Sequence, residues 1–229
     1  MQIQGSTALV TGANRGLGAA FVQELLDRGA ARVYAGARHP EPSDDPRVVP
    51  IELDVTRADQ IAAAAALATD VTLVINNAGS HSGARIVDGD FADIQSDLDT
   101  NFFGPIAVTR AFAPVLAEHG GGAVVTVHSV LSWLSSGDGY SASKAAAWSA
   151  TNALRSALAP AGTTVTGVHV GYIDTDLAAH VDAPKIAPRD VASQALDGVE
   201  AGAAEVLADE VTRGVKAGLS GEPMALPAA

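Results

Sequence analysis

The sequence predicts an α/β fold, a doubly wound and mostly parallel sheet of seven strands with helices on both faces. Short runs rich in apolar and β-branched residues recur seven times along the 229-residue chain. Longer Ala- and Leu-rich segments of helical character separate most of these runs. This alternation is typical of a parallel sheet whose two faces are covered by helices.

The predicted elements follow one another in regular order. The strands are predicted at residues 8–10, 33–35, 48–53, 71–75, 123–127, 165–170 and 205–208, and the main helical segments at 19–28, 91–118, 142–158 and 190–199. Residues 39–46 are rich in Pro and Asp, which predicts a loop where a helix would otherwise cross over. Residues 181–188 contain two prolines and predict a second loop. Because no repeat or extended linker interrupts the pattern, residues 1–229 are predicted to form one domain.

Composition limits the possible partners. The formal net charge of −12 disfavours nonspecific binding to nucleic acid or to an anionic membrane. The absence of cysteine excludes disulfides and thiolate catalysis, and no His, Asp and Glu spacing predicts a metal site. The first residues show no basic region followed by an apolar stretch, which is the pattern of a targeting leader, and no run of 18 apolar residues occurs. A cytoplasmic location is therefore expected.

A glycine-rich turn joins the first predicted strand to the first predicted helix. It reads Thr11-Gly12-Ala13-Asn14-Arg15-Gly16-Leu17-Gly18. Glycines at this spacing let the backbone approach a pyrophosphate, and the helix amino terminus supplies free N–H groups. An ordinary strand-to-helix turn is the alternative. The turn indicates a Rossmann-type fold that binds a dinucleotide.

Charge near this turn predicts which dinucleotide is bound. The 2′-hydroxyl of NAD favours an acidic residue at the end of the second strand, whereas the 2′-phosphate of NADP needs a cation. The second predicted strand is followed by Arg38 without an acid, and Arg15 lies in the glycine turn. Both arginines could simply be solvated. The pair favours NADP(H) over NAD(H).

Three residues form a candidate catalytic group. Tyr140 and Lys144 are four residues apart at the start of a predicted helix, so they share one helix face. A nearby ammonium, joined by the positive nicotinamide of an oxidised cofactor, is expected to lower the phenol pKa, which allows proton exchange with a substrate oxygen. Ser129 follows the fifth predicted strand, at the sheet edge where such folds bind ligands.

These motifs together resemble the short-chain dehydrogenase/reductase family in its compact single-domain branch. The resemblance extends from about Gly5 to Asp176 and implies that Asn101, Ser129, Tyr140 and Lys144 are catalytic. Asn101 would help to hold a water beside the lysine. The implied cofactor contacts, in addition to Tyr140 and Lys144, are Gly12, Asn14, Arg15, Gly16, Leu17, Gly18, Arg38, Asp54, Val55, Asn77, Ala78, Gly79, Ile173 and Thr175.

Two positions depart from the family pattern. Where members commonly have Pro-Gly after the sixth strand, this chain has Val170-Gly171, so a less rigid loop under the nicotinamide is expected. The interval from Ser129 to Tyr140 is short, and Ser132, Ser135 and Ser136 compete for the serine role.

The predicted function is hydride transfer between NADP(H) and a ketone or aldehyde, with Tyr140 as the acid or base. The alternatives are a dinucleotide-binding sensor without catalysis and a sugar-nucleotide epimerase or dehydratase. A hydrolase built on His128, Ser129 and Asp138 is disfavoured, because adjacent strand residues point to opposite faces. Small and apolar residues in the loop at 177–181 favour a neutral substrate. A homodimer or homotetramer is expected through the helical segments 91–118 and 142–158.

Overall fold

The predicted fold class is confirmed by the structure, a computed structural model that describes residues 1–179 and 181–221. Seven strands form one sheet in the order β3-β2-β1-β4-β5-β6-β7, and every neighbouring pair is parallel. The strands are β1 (Thr7–Thr11), β2 (Arg32–Ala37), β3 (Val48–Glu52), β4 (Leu73–Asn76), β5 (Ala123–Val127), β6 (Thr164–His169) and β7 (Glu205–Leu207).

Helices connect the strands and cover both faces of the sheet. They are α1 (Gly16–Asp27), α2 (Ala58–Leu67), α3 (Phe91–Leu98), α4 (Gly104–Glu118), α5 (Gly139–Leu158), α6 (Pro188–Ala201) and α7 (Glu210–Ala217). As predicted, residues 38–47 cross from β2 to β3 without a helix. Among the described residues, no helix is both long enough and apolar enough to cross a membrane.

Side chains that point alternately to the two faces of the sheet divide the core into two apolar layers. Val10 packs with Phe21 on one face of the sheet, whereas its neighbour Leu9 packs with Phe112 on the other. Successive side chains of a strand point to opposite faces, so a strand buried on both sides must be apolar at every position. All five residues of β1 are buried, which explains the unbroken apolar run at its three central positions.

The segment predicted as helical at residues 91–118 is helical throughout, but its α-helical register is interrupted. A π-helical turn, Asp99–Phe103, separates α3 from α4, and the N–H of Gly104 bonds to the carbonyl of Asp99 five residues earlier. One additional residue in the turn shifts the register of the side chains. Asn101, within this turn, is 1% exposed. One additional residue is too short an interruption to be visible in the spacing of apolar residues along the sequence.

The direction in which strands are added to the sheet reverses at β1, which creates a topological switch point beside this strand. This strand pairs with β2 on one side and with β4 on the other, so the chain leaves its carboxyl end in opposite directions. Ligands bind at such a crevice in open α/β sheets. The loops after β1, β4, β5 and β6 meet at this edge and carry most of the predicted site residues.

Candidate active site

The glycine turn after β1, residues 11–18, forms a concave backbone surface, the glycine cradle. Gly12 and Gly16 adopt φ angles of +68° and +54°, which side chains disfavour. A Cβ on Gly18 would overlap the carbonyl of Gly12. The turn leads into α1, whose first N–H groups have no partner within the helix. These features fit the pyrophosphate of a dinucleotide.

Asn77 fixes the cradle from the neighbouring strand. Its amide donates to the carbonyls of Thr11 and Gly12 at 2.9 and 3.2 Å. The Thr11 hydroxyl accepts from the backbone N–H groups of Asn77 and Ala78, both at 3.0 Å. The side chain of Asn77, which was predicted to contact the cofactor, therefore holds the glycine turn. Ala78 and Gly79 follow it along the same edge.

Tyr140 and Lys144 occupy the first two turns of α5. Asp138 caps this helix and accepts a hydrogen bond of 2.9 Å from the N–H of Ser141. Lys144 is buried, and its Nζ donates to the carbonyl of Val127 at 3.0 Å. The same Nζ lies 5.6 Å from the centre of the Tyr140 ring. The strand end of β5 and the helix thus hold the phenol and the ammonium together.

The pKa of Tyr140 does not move in the expected direction. Burial raises the pKa of Tyr140 to about 12, and the carboxylates of Asp138 and Asp97 add to this rise, while the Ser129 hydroxyl opposes it. Burial also lowers the pKa of Lys144 to about 8, against the attraction of Asp97. Desolvation disfavours the charged form of each group and is the largest cause of both shifts. Without a bound cofactor, the phenol stays protonated at neutral pH.

Ser129 is the serine that faces the phenol. It follows β5, accepts from the N–H of Leu131 at 3.1 Å and is 7% exposed. The competing serines are engaged elsewhere: Ser135 accepts from Gly137 and Ser136 donates to Asp138. Ser132 is buried, and its hydroxyl has no partner among the described residues.

Asn101 reaches the site through the π-helical turn. Its Nδ2 donates to the carbonyl of Ser80 at 2.9 Å and to the hydroxyl of Ser143 at 3.0 Å. Its Oδ1 accepts from the N–H of Ser80 at 3.0 Å. The side chain therefore binds the loop after β4 and α5, and does not bond to Lys144.

Four of the predicted cofactor contacts differ in how they are held. Arg15 forms an exposed ion pair with Asp176 at 3.2 Å. Arg38 is exposed, and within residues 1–179 and 181–221 no ion pair or hydrogen bond holds its guanidinium. Asp54 accepts from both the N–H and the hydroxyl of Thr56, at 2.9 and 2.7 Å. The next residue along the chain, Val55, is buried beside the π-helical turn.

The loop after β6 is anchored in spite of its missing proline. Val170 is 3% exposed, and its carbonyl accepts from the N–H of Val130 at 2.9 Å. The N–H of Gly171 donates to Asp209 at 2.6 Å. Ile173 forms a bridge with Ile186, and Thr175 follows two residues later. These contacts replace the restraint that proline supplies through its fixed φ angle.

Thr175 connects this loop to the glycine turn. A Cβ built on Gly16 would lie 3.1 Å from the Thr175 methyl carbon, so the two loops touch. Ile173 and Thr175 thus stand beside the predicted cofactor cradle. Of the loop at 177–181, His180 lies outside the described residues.

Sequence reasoning missed His81. Its ring centre lies 4.7 Å from that of Tyr140, and its Nε2 lies 3.2 Å from Oδ2 of Asp138. The hydrolase alternative paired Asp138 with His128 instead. His128 is 2% exposed and packs against His169, with ring centres 4.9 Å apart. The one indication in the sequence that His81 belongs to the site is its position, shortly after the Asn76-Asn77-Ala78-Gly79 run and therefore at the edge of the sheet.

Comparisons with known proteins agree with this geometry. Residues 6–185 match the sequence profile of the short chain dehydrogenase family. A protein described as an uncharacterized oxidoreductase from Staphylococcus aureus is 30% identical over 206 residues, which are 82% of this chain and 88% of that protein.

Solved structures of short chain dehydrogenases are also similar to this chain. A short chain dehydrogenase from Burkholderia cenocepacia in complex with NADP is 41% identical, with a TM-score of 0.93 over 97% of this chain and 95% of that one. A short chain dehydrogenase/reductase from Burkholderia phymatum in complex with NAD has a TM-score of 0.87 at 21% identity and covers 100% of both chains. The second likeness, at its low identity, shows the fold alone.

Proposed function

Since this chain belongs to the short-chain dehydrogenase family of oxidoreductases, we propose that it interconverts a ketone or aldehyde and an alcohol with NADP(H). One observation carries the proposal: Tyr140, Ser129 and Lys144 converge at the sheet edge beside the glycine cradle. Within the proposal, the bound cofactor supplies or accepts the hydride at its nicotinamide ring.

Tyr140 is the proton donor of the proposed reduction. Its pKa near 12 keeps the phenol protonated at neutral pH, and a protonated phenol can donate to the alkoxide that develops when a carbonyl carbon accepts hydride. Ser129 faces the phenol and would donate a second hydrogen bond to the same oxygen. The reverse reaction needs phenolate, which the ammonium of Lys144 favours.

Arg38 supports the choice of NADP(H). Its guanidinium lies after β2, where the adenosine ribose binds in Rossmann-type folds, and no acidic side chain of the described residues holds it. A 2′-phosphate there would receive charge-assisted hydrogen bonds that a hydroxyl cannot match. The 41% identical neighbour in complex with NADP points the same way.

Exposed apolar side chains near the site support a neutral substrate. Ile86, in the loop after β4, is 51% exposed, while Tyr172 and Leu177 in the loop after β6 are 46% and 53% exposed. The N–H of Ile86 bonds to the carbonyl of Gly137, three residues before Tyr140. Apolar surface beside a proton donor suits a ketone or aldehyde with a hydrocarbon substituent.

A homo-oligomer is part of the proposal, with α4 and α5 as its interface. Phe103 is 51% exposed immediately before α4, and small side chains including Ala145 and Ser149 are exposed along α5. Small residues allow two helices to approach closely, and an exposed Phe gains most from burial. A cytoplasmic location stays a prediction.

The loss of NADPH absorbance with a panel of ketones and aldehydes tests the proposed reaction. Tyr140→Phe is expected to abolish turnover and to change NADPH affinity by no more than a few fold, because the phenol acts on the substrate oxygen. Tyr34→Phe is the matched control, since its hydroxyl bonds to Asp70 away from the site. NADPH binding without turnover of any carbonyl would indicate a dinucleotide sensor instead.

A further inference from the structure

His81 contacts the proposed proton donor without belonging to any motif described above. The planes of the His81 and Tyr140 rings are inclined at 47°, with 4.7 Å between ring centres. The His81 side chain is 28% exposed, so most of it is buried. This contact joins the loop after β4 to the first turn of α5.

The backbone on both sides of His81 is fixed by a buried carboxylate. Asp97 is 0% exposed and accepts from the hydroxyls of Ser80 at 3.0 Å and Ser82 at 2.7 Å. The N–H of Ser82 also donates to Asp97, and Asn101 holds both backbone groups of Ser80. An imidazole on so restrained a backbone is preorganised.

Asp138 connects the imidazole to the helix that carries Tyr140. Its Oδ1 accepts from the N–H of Ser141 at 2.9 Å and from the hydroxyl of Ser136 at 2.7 Å, so Oδ2 is left for His81. Burial alone would raise the pKa of Asp138, but the hydrogen bonds from Ser136, Ser141 and His81 outweigh it and lower the pKa. The carboxylate is therefore charged and holds the imidazole strongly.

We infer that His81 is a positioning residue for Tyr140: Asp138 holds the imidazole, and the imidazole fixes the orientation of the phenol ring. The inferred effect on catalysis rests on the proposed function, whereas the contact between the rings does not. Tyr140 is half-buried, and Lys144 approaches its ring no closer than 5.6 Å from the centre. An imidazole 4.7 Å away restrains the ring more closely and holds the phenol hydroxyl where the substrate oxygen will lie.

Three variants separate the parts of this arrangement. His81→Ala removes the ring and the hydrogen bond, and we expect kcat to fall roughly 10- to 100-fold, since small misplacements of a reacting group have effects of this size. NADPH affinity should stay the same, because His81 lies outside the glycine cradle. His81→Phe keeps an aromatic ring against Tyr140 and should restore part of kcat.

Asp138→Asn tests the carboxylate without removing the helix cap. Asparagine caps helices as well as aspartate does, so α5 should remain folded, while the acceptor that faces His81 is replaced by an uncharged amide N–H donor. We expect a smaller loss of kcat than in His81→Ala. The double variant should be no slower than His81→Ala alone, because both changes act through one contact.

Fluorine NMR of protein labelled with 3-fluorotyrosine reports the contact independently of turnover. The chain has three tyrosines, and the Tyr140→Phe variant assigns the signal of interest. His81→Ala should shift the Tyr140 signal and leave the other two in place. His119→Ala is the matched control, since this exposed histidine bonds to Thr69 at the opposite edge of the sheet.

Two results would overturn the inference. One is an unchanged Tyr140 signal and an unchanged kcat in His81→Ala. The other is a loss of kcat in His81→Ala that is matched by an equal loss of NADPH affinity, which would indicate general damage to the site. If the wild-type protein reduces no carbonyl, the proposed function fails, and the fluorine spectra still decide whether His81 orients Tyr140.

Discussion

Arg15 reaches Asp176 across the gap between the glycine turn and the loop after β6. The Nη1 and Oδ2 atoms are 3.2 Å apart, and both side chains are about four-fifths exposed, at 79% and 80%. The same arginine was predicted to bind the 2′-phosphate of NADP. If Arg15 binds the 2′-phosphate, the carboxylate of Asp176 competes with the cofactor for its guanidinium.

Asp176→Asn should tighten NADPH binding by releasing Arg15. Exposed ion pairs are weak, so we expect a gain of no more than about fivefold. NADH affinity should not change, because the released arginine finds no phosphate on the ribose. Fluorescence titration with both cofactors measures the effect, and equal gains for the two would contradict a role of Arg15 at the 2′-phosphate.

Arg38→Asp should remove the preference for NADPH. The wild-type guanidinium can make charge-assisted hydrogen bonds of about 1.5–3 kcal/mol each to the 2′-phosphate, which corresponds to roughly tenfold or greater discrimination. The variant places an anion near the phosphate and offers an acceptor to the NAD ribose. The values of kcat/KM for both cofactors are the measurement. A wild-type enzyme that prefers NADH would show that Arg38 points to solvent.

The affinity of the free enzyme for NADPH should decrease as pH rises through 8. Burial lowers the pKa of Lys144 to about 8, so its ammonium is complete well below that pH and is lost above it. If the ammonium binds the nicotinamide ribose, losing its charge should weaken binding roughly fivefold, since charged hydrogen bonds are about twice as strong as neutral ones. Titrations between neutral and alkaline pH measure this change. Lys144→Met should show no such step, and a step of equal size in that variant would assign it to another group.

Arg28→Met should destabilise the fold at the contact between α1 and α6. The Arg28 guanidinium is 19% exposed and binds Glu24 at 3.0 Å, Asp197 at 2.8 Å and the hydroxyl of Ser193 at 2.9 Å. Glu24 is 10% exposed and would keep only its longer contact to Arg189 at 3.4 Å. We expect the free energy of unfolding to fall by about 2 kcal/mol, less than the roughly 3–5 kcal/mol lost when one side of a fully buried pair is removed, because Asp197 is 67% exposed. Urea denaturation measures it.

Arg57→Met is the control for this stability prediction. Arg57 pairs with Asp59 at 3.0 Å, but the two side chains are 61% and 67% exposed. Such pairs contribute little, so the unfolding midpoint should barely move. Equal losses of unfolding free energy in Arg28→Met and Arg57→Met would show that burial does not explain the contribution of the Arg28 ion pairs to stability.

Light scattering should find a particle larger than one 23.1 kDa chain. Ser149→Glu places a large charged side chain on the exposed face of α5 and should separate the proposed oligomer into single chains, because helices in close contact cannot accommodate it. Ser43→Glu, in the exposed loop between β2 and β3, should leave the particle unchanged. A single-chain mass for the wild-type protein would contradict the proposed interface.

The sequence by itself determined the sheet, its two helical layers and the glycine cradle. These features have local or periodic causes: alternating burial produces the strands, and the turn around Gly16 requires a positive φ angle. The four-residue spacing of Tyr140 and Lys144 likewise places both on one side of a helix before any packing is known. The helix-free crossing at residues 38–47 follows from its prolines.

Only the tertiary structure decided how the site residues are paired and charged. Asp138 binds His81, which is 57 residues away, and Arg15 binds Asp176, which is 161 residues away. No local pattern encodes such distances, since they depend on which loops share one edge of the sheet. The rise in the pKa of Tyr140 likewise comes from burial by several elements at once. Spacing along a helix predicts which groups are neighbours, but desolvation belongs to the whole fold and determines which of them is charged.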